Sequence, residues 1–157
     1  MKSDDPRLIE SHKRLTERIA KLDEIVLTVL KNHIAVEQFM GEFLEAHGKK
    51  SNDLTFADKI KACKARNAPE IEKPLWDLLK ECNRLRNTIA HKMDEKEIKA
   101  QMDVVRGAYY AAVSKKQAEA AKTMTDPQMA MSALMHCGSY IVVAAENMID
   151  ADKKHGK

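Results

Sequence analysis

The segment LWDLLKECNRLRNTIAH, residues 75–91, decides the fold class of this 157-residue chain. At 100° per residue, its apolar residues fall on one stripe, which is typical of a helix that buries one face. Pro74 is tolerated in the first turn of such a helix, which we expect to end near Lys92. The stripe is made of Leu75, Leu78, Leu79, Cys82, Leu85 and Ile89.

The rest of the chain also indicates helices. Between residues 6 and 47, apolar or semi-apolar residues alternate three and four apart, the pattern of a heptad seam. One long helix, or two with a break near Asp23, fits this pattern equally well, and the stripe widens in its second half, which we expect to be buried on more than one side. Further helices are predicted at about 55–65, from Asp94 through AYYAAVSKKQAEAAK, and from Thr125 to about Asp152. The Ala-rich later part of the fourth helix is expected to project from the body.

Composition supports an all-α protein of one domain. Aromatic residues make up only 4% of the chain, and strong helix formers dominate. The length is that of a single domain with its own core. We therefore predict one domain over residues 1–157, with an ordered core at 6–152, a frayed tail at 153–157 and five to six helices, the first of them long.

Charge and cysteine content narrow the function classes. The formal charge of +3 comes from 27 basic and 24 acidic residues, so a strongly electrostatic grip on nucleic acid is not implied. The three cysteines lie far apart, outside the spacing of zinc ligands, and are expected to be free thiols. We predict no metal, no cofactor and no membrane span, because ligand clusters, a signal core and long apolar runs are all missing from the sequence. The expected location is the cytoplasm.

Three polar residues, Arg86, Asn87 and His91, stand among the apolar residues of the predicted helix over residues 75–91. Arg86 falls at the edge of the apolar stripe, whereas Asn87 and His91 are four apart and point away from it, beside Lys80 and Arg84. His91 lies in the last turn, where the helix carbonyls favour a positive charge and a proton-transfer role becomes reasonable. From spacing alone, helix decoration explains these residues better than a site does.

The motif RNTIAH and its surroundings resemble the HEPN domain superfamily, whose signature is Arg, then four to six residues, then His, commonly with a polar residue directly after the Arg. The resemblance extends over residues 32–93 and includes HIAVEQFMGEFL, LTFADKIKACKA and LWDLLKECNRL, in the order found in HEPN-like helical proteins such as the mannitol operon repressor family. Arg86 matches the signature Arg, Asn87 the adjacent polar residue and His91 the signature His.

The resemblance implies an antiparallel helical bundle that forms a homodimer with its two motifs facing each other. In active members it also implies metal-independent RNA cleavage. In that chemistry a 2′-hydroxyl attacks the neighbouring phosphate, His91 shuttles a proton, Arg86 stabilises the non-bridging oxygens and Asn87 orients groups. The products would be a 2′,3′-cyclic phosphate and a 5′-hydroxyl.

One geometric difficulty accompanies this expectation. On an ideal helix Arg86 and His91 lie about 140° apart, too far round to converge on one phosphate. Either the end of the helix distorts, or each cleft takes residues from both protomers across a two-fold interface over the face that carries Asn87 and His91.

Four further residues are candidates near the motif. His33 and Glu37, four apart on the long helix, could pair with each other or approach the motif, and Glu37 could neutralise Arg86. Arg84 and Lys59 are candidate phosphate contacts, although an exposed lysine on a short helix is more often simply solvated.

Two classes of function remain open. The first is a metal-independent endoribonuclease of toxin or defence type, with Arg86, Asn87 and His91 as its catalytic residues. The second is a non-catalytic regulatory or partner-binding homodimer in which the motif stabilises the dimer. RNA and a protein partner such as an antitoxin are the ligands that these two classes imply.

Overall fold

The structure, a computed structural model, describes residues 5–66 and 68–156, and every regular element in those ranges is a helix. This confirms the predicted all-α class with six helices. The last helix continues through His155, so residues 153–155, expected to be frayed, are helical. The helices are α1 (Pro6–Ala46), α2 (Phe56–Lys64), α3 (Lys73–Lys92), α4 (Glu95–Ala112), α5 (Lys115–Ala121) and α6 (Asp126–His155).

The N-terminal heptad seam forms one helix of 41 residues, α1, with no break at Asp23. The side chain of Asp5 caps it by accepting a hydrogen bond of 2.9 Å from the backbone N–H of Arg7. Residues 6–21 are all exposed, and burial begins at Leu22. The wider stripe predicted for the second half is only partly buried, because Leu27 and Ile34 face outward.

The predicted single helix after Asp94 is wrong: the structure has two helices, α4 and α5, in its place. Val113 caps the end of the first, and Ser114 begins the second, because its hydroxyl accepts from the N–H of Gln117 while the Gln117 side chain accepts from the N–H of Ser114. This is a capping box. The prediction that this Ala-rich segment projects from the body is also wrong, since Ala121 at the end of α5 is fully buried.

The core lies where α1, α3 and α6 meet. Gly138 of α6 allows α1 to approach closely, since a Cβ added there would lie 3.3 Å from Cγ2 of Val36. Leu22 of α1 and Pro127 of α6 line one cleft, and the contact between Val36 and Gly138 lies farther along both helices. The two long helices therefore run in the same direction. The largest fully buried side chains include Val29, Met40, Phe43, Leu78, Leu79, Leu85, Ile89, Met102, Met129, Leu134 and Ile141.

A short turn joins α3 to α4 and fixes the end of the helix that carries the motif. Met93 ends α3 in the left-handed region, with φ of 46°, and Asp94 then caps α4 by accepting from the N–H of Glu97 at 3.0 Å. Farther along the pair, the side-chain amide of Gln101 donates to the carboxylate of Glu81 at 3.0 Å. α3 and α4 therefore form a tight hairpin.

The three cysteines, Cys63, Cys82 and Cys137, are buried and unpaired, as the sequence predicts. Burial raises the pKa of the Cys63 and Cys82 thiols to about 12. Because the thiolate is the reactive form, these groups are poor nucleophiles.

Within the described ranges, α6 is the one helix long and apolar enough to cross a membrane by length and composition. Half of its most apolar window is buried inside the protein, as in the core helix of a folded domain.

Candidate functional site

A polar cleft of about 410 Å³ lies between the middle of α1, the start of α2 and the second half of α3. It contains two of the residues that match the HEPN motif, together with both residues predicted to support them from α1. Its lining consists of His33, Glu37, Thr55, Phe56, Ala57, Asn83, Arg86 and Asn87.

His33 is buried at the base of this cleft. Its Nε2 lies 3.2 Å from Oδ1 of Asn83, and since a carboxamide oxygen only accepts, Nε2–H is the donor. The ring also stacks on Phe56, with centroids 3.8 Å apart and planes 23° apart. Burial and the nearby charge of Arg86 lower the pKa of His33, outweighing the hydrogen bond that the ring donates to Asn83 and the charge of Glu37. The imidazole is therefore held neutral and fixed in orientation.

Glu37 and Lys59 form an ion pair at one wall of the cleft, with Nζ of Lys59 3.1 Å from Oε1 of Glu37. The Lys59 side chain is only 12% exposed, so the prediction that it is simply solvated is wrong. Its ammonium is engaged by Glu37, which also leaves it poorly placed as a phosphate contact. The sequence left open a pairing of Glu37 with Arg86 or with His33, and in the structure Glu37 binds Lys59 instead.

Arg86 is partly buried at the mouth of the cleft, and its Nη1 donates to Oδ1 of Asn87 at 3.2 Å. Across residues 5–66 and 68–156, no carboxylate forms an ion pair with this guanidinium. The one acidic side chain that lines the cleft, Glu37, is already bound by Lys59. The cleft thus presents one cation whose charge is not neutralised, beside neutral amide groups.

His91 lies outside this cleft, exposed in the last turn of α3. The helix remains regular through Lys92, so the end distortion considered above does not occur. Arg86 and His91 therefore stay on different faces of α3, as five residues of an α-helix require. Within one chain they do not form a common site.

Arg84, the other candidate phosphate contact, is exposed and pairs with Glu81 one turn earlier, at 2.7 Å. It lies on the outer side of α3 and does not line the cleft.

Asn83 is the site residue that the sequence prediction missed. It stands three residues before Arg86 and four before Asn87, so the three side chains share one face of α3. That i, i+3, i+4 spacing of polar residues was the available signal. Phe56 was also missed, because its partner His33 is 23 residues earlier in the chain and no local pattern connects them.

The chemistry available in the cleft is anion binding with hydrogen bonding. A guanidinium with two carboxamides suits a phosphate, which accepts several N–H donors at once. Among the described residues no group of three or more His, Cys, Asp or Glu side chains could hold a metal ion.

No known protein family matches this chain, and neither a curated protein nor a solved structure matches it.

Proposed function

We propose that this chain is a HEPN-like helical protein that cleaves RNA without a metal ion, in a site completed by two copies of the chain. The observation that carries the proposal is the un-neutralised guanidinium of Arg86 at the mouth of a polar cleft. A partly buried cation without a counter-ion is costly to keep, and a bound phosphate would supply the missing charge. The resemblance of RNTIAH to the HEPN signature points to a phosphodiester in particular.

Arg86 and Asn87 would hold the scissile phosphate on the cleft side of α3. Arg86 donates to the non-bridging oxygens, whose negative charge grows as the 2′-oxygen attacks phosphorus. Asn87, whose Oδ1 already accepts from Arg86, keeps the guanidinium in place and offers its own N–H₂ to the ribose or the phosphate.

His91 would come from the partner copy. It accepts the proton of the 2′-hydroxyl as the new phosphorus–oxygen bond forms, and returns a proton to the 5′-oxygen as the old bond breaks. A two-fold contact over the exposed face of α3 would place His91 of one copy near Arg86 of the other, which a single chain does not achieve. The proposed setting is the cytoplasm, with a protein partner such as an antitoxin restraining the activity.

The experiment that tests this function is incubation of the purified protein with labelled RNA in excess EDTA. The wild type is expected to release fragments with 2′,3′-cyclic phosphate and 5′-hydroxyl ends, whereas Arg86→Ala and His91→Ala should each lower the rate by about 100-fold or more. Lys122→Ala is the control, because Lys122 is exposed, is paired with Glu119 at 2.6 Å and lies outside both the cleft and the face of α3 that carries His91. Equal cleavage by all four proteins would contradict the proposal.

A second candidate function is a non-catalytic RNA-binding or protein-binding module. It is favoured by one observation, the separation of His91 from the cleft within a chain. Under this alternative, Arg86→Ala weakens RNA binding, His91→Ala does not, and no variant changes the length of the RNA.

A further inference from the structure

The first part of α1 is an arm whose second half is flanked by the start of α4, where Arg14, Glu17 and Arg18 line a cleft with Asp94, Glu95 and Lys96. Residues 6–21 are all exposed, and at 1.5 Å per residue the arm is about 24 Å long. It nevertheless carries four exposed large apolar residues, Leu8, Ile9, Leu15 and Ile19. A helix of this length is marginal in water without packing, so an apolar stripe on it indicates a partner.

The spacing of the seam along the arm is the same in either direction, and three of its four positions are apolar. Its heptad positions are Leu8, His12, Leu15 and Ile19, separated by four, three and four residues. A second copy laid antiparallel about the midpoint between residues 13 and 14 therefore places Leu8 opposite Ile19 and His12 opposite Leu15. The same two contacts repeat across the two-fold axis, giving four filled layers.

From this symmetry we propose that the arm pairs with the arm of a second copy of this chain as a short antiparallel coiled coil. The contact is separate from the α3 interface of the proposed function and does not depend on it.

The body of the protein excludes the parallel alternative. At Leu22 the seam passes under the chain's own α4 and α6, where Ile98 and Pro127 lie beside it. A parallel partner helix would need the same space. An antiparallel partner does not, because in the proposed register residue 6 of one copy lies opposite residue 21 of the other. The exposed segment, residues 6–21, is therefore the same segment that the antiparallel register pairs.

The surroundings of the arm fit this arrangement. A cleft of about 370 Å³ at its base, lined in part by Leu22, Ile25, Ile98 and Pro127, lies where the tip of the partner arm would arrive. Beside the seam, Arg18 faces Ser11 of the partner copy and Ile9 faces its Thr16, so no like charges meet.

Mass in solution tests the pairing. Leu15→Asp puts a charge into two of the four layers and should halve the mass measured by sedimentation equilibrium relative to wild type. Leu27→Asp is the matched control, since Leu27 lies on the same helix at 62% exposure, against 58% for Leu15, but outside the seam. It should leave the mass unchanged. Unfolding curves should show an intact body in both variants, because Leu15 and Leu27 are both exposed and neither belongs to the buried core. A monomeric wild type, equal masses for wild type and Leu15→Asp, or dissociation by Leu27→Asp would overturn the proposal.

Disulfide cross-linking tests the direction. The double variant Leu8→Cys/Ile19→Cys should form a covalent dimer on oxidation, because each new cysteine faces the other kind across the axis. Leu8→Cys alone should not, because its two copies would stand about 16 Å apart along the helices, beyond disulfide reach. The native cysteines are buried and do not compete. Cross-linking by the single variant would show a parallel pair, and no cross-linking by the double variant would refute the register.

The two proposals fail in different ways. If the arms do not pair, Leu15→Asp and the wild type have the same mass, whether or not the wild type cleaves RNA in EDTA. Loss of the proposed nuclease appears as absent cleavage at any mass.

Discussion

At the scale of single residues, the cleft depends on how its charges are divided. Among the described residues that line the cleft, Glu37 is the one carboxylate, and Lys59 binds it, which leaves the charge of Arg86 without a counter-ion there. The placement of Arg86 at the edge of the apolar stripe followed from helical periodicity. The Lys59–Glu37 pair did not, because the partners lie 22 residues apart on different helices. Long-range pairings of this kind depend on tertiary packing, which no local pattern records.

His33 predicts a pH dependence of stability. Burial lowers its pKa in the folded state, so below the ordinary histidine value of about 6.5 the unfolded chain binds the proton more readily than the folded chain does. The His33 contribution is complete above that value and is lost progressively as the pH falls towards the lowered folded pKa. His33→Gln should therefore lose less stability than wild type on acidification.

The measurement is the free energy of unfolding in urea at several values between about pH 8 and pH 5. His155→Gln, at an exposed histidine near the end of α6, is the control and should follow the wild-type slope. Identical slopes for wild type and His33→Gln would show that the His33 ring is not held neutral.

At the scale of helices, capping residues determine where elements begin. Thr125 was read correctly from the sequence as the start of the last helix, and the structure adds Gln128 as its partner in a capping box with two hydrogen bonds. Ser114 with Gln117 has the same spacing and the same two bonds, but was read as the interior of a helix. The surrounding alanine and lysine residues have high helix propensity, and this masked the boundary.

Thr125→Ala tests the contribution of one cap. It removes the side-chain acceptor for the N–H of Gln128 and should lower the free energy of unfolding by about 1 kcal/mol, as loss of an N-cap does. Thr123→Ala, two residues earlier in the exposed turn, should change stability by less than about 0.5 kcal/mol. Urea unfolding measures both, and an equal effect at the two positions would contradict the capping account.

At the scale of the whole molecule, the seam of α1 serves two purposes. From Leu22 onward the seam packs against the body, whereas along residues 6–21 the seam is exposed. The sequence indicated the continuous seam but not this division, because the heptad pattern is the same in both parts. Which part is covered depends on where α4 and α6 begin in space.

The crossing of α1 and α6 is the contact that organises the core, and Gly138 tests it. Gly138→Leu forces a side chain towards Val36 and should lower the free energy of unfolding by about 1–3 kcal/mol, the usual cost of overpacking. Gly107→Ala is the converse substitution, at an exposed site inside α4 with open space around it, and should raise stability by about 0.5–1 kcal/mol. If Gly138→Leu proved neutral in urea unfolding, the close approach of the two helices would be wrong.

The central claim is that Arg86 of one copy and His91 of another act on the same phosphate, and mixing two inactive variants tests it most directly. Arg86→Ala and His91→Ala, each inactive alone, should regain RNA cleavage in EDTA when unfolded together and refolded as a mixture. In a mixed dimer one of the two shared clefts has both residues intact. Recovery of about a quarter of wild-type activity is expected for random pairing of equal amounts, since half the dimers are mixed and each has one good cleft of two. Wild-type cleavage with no recovery in the mixture would contradict the shared site.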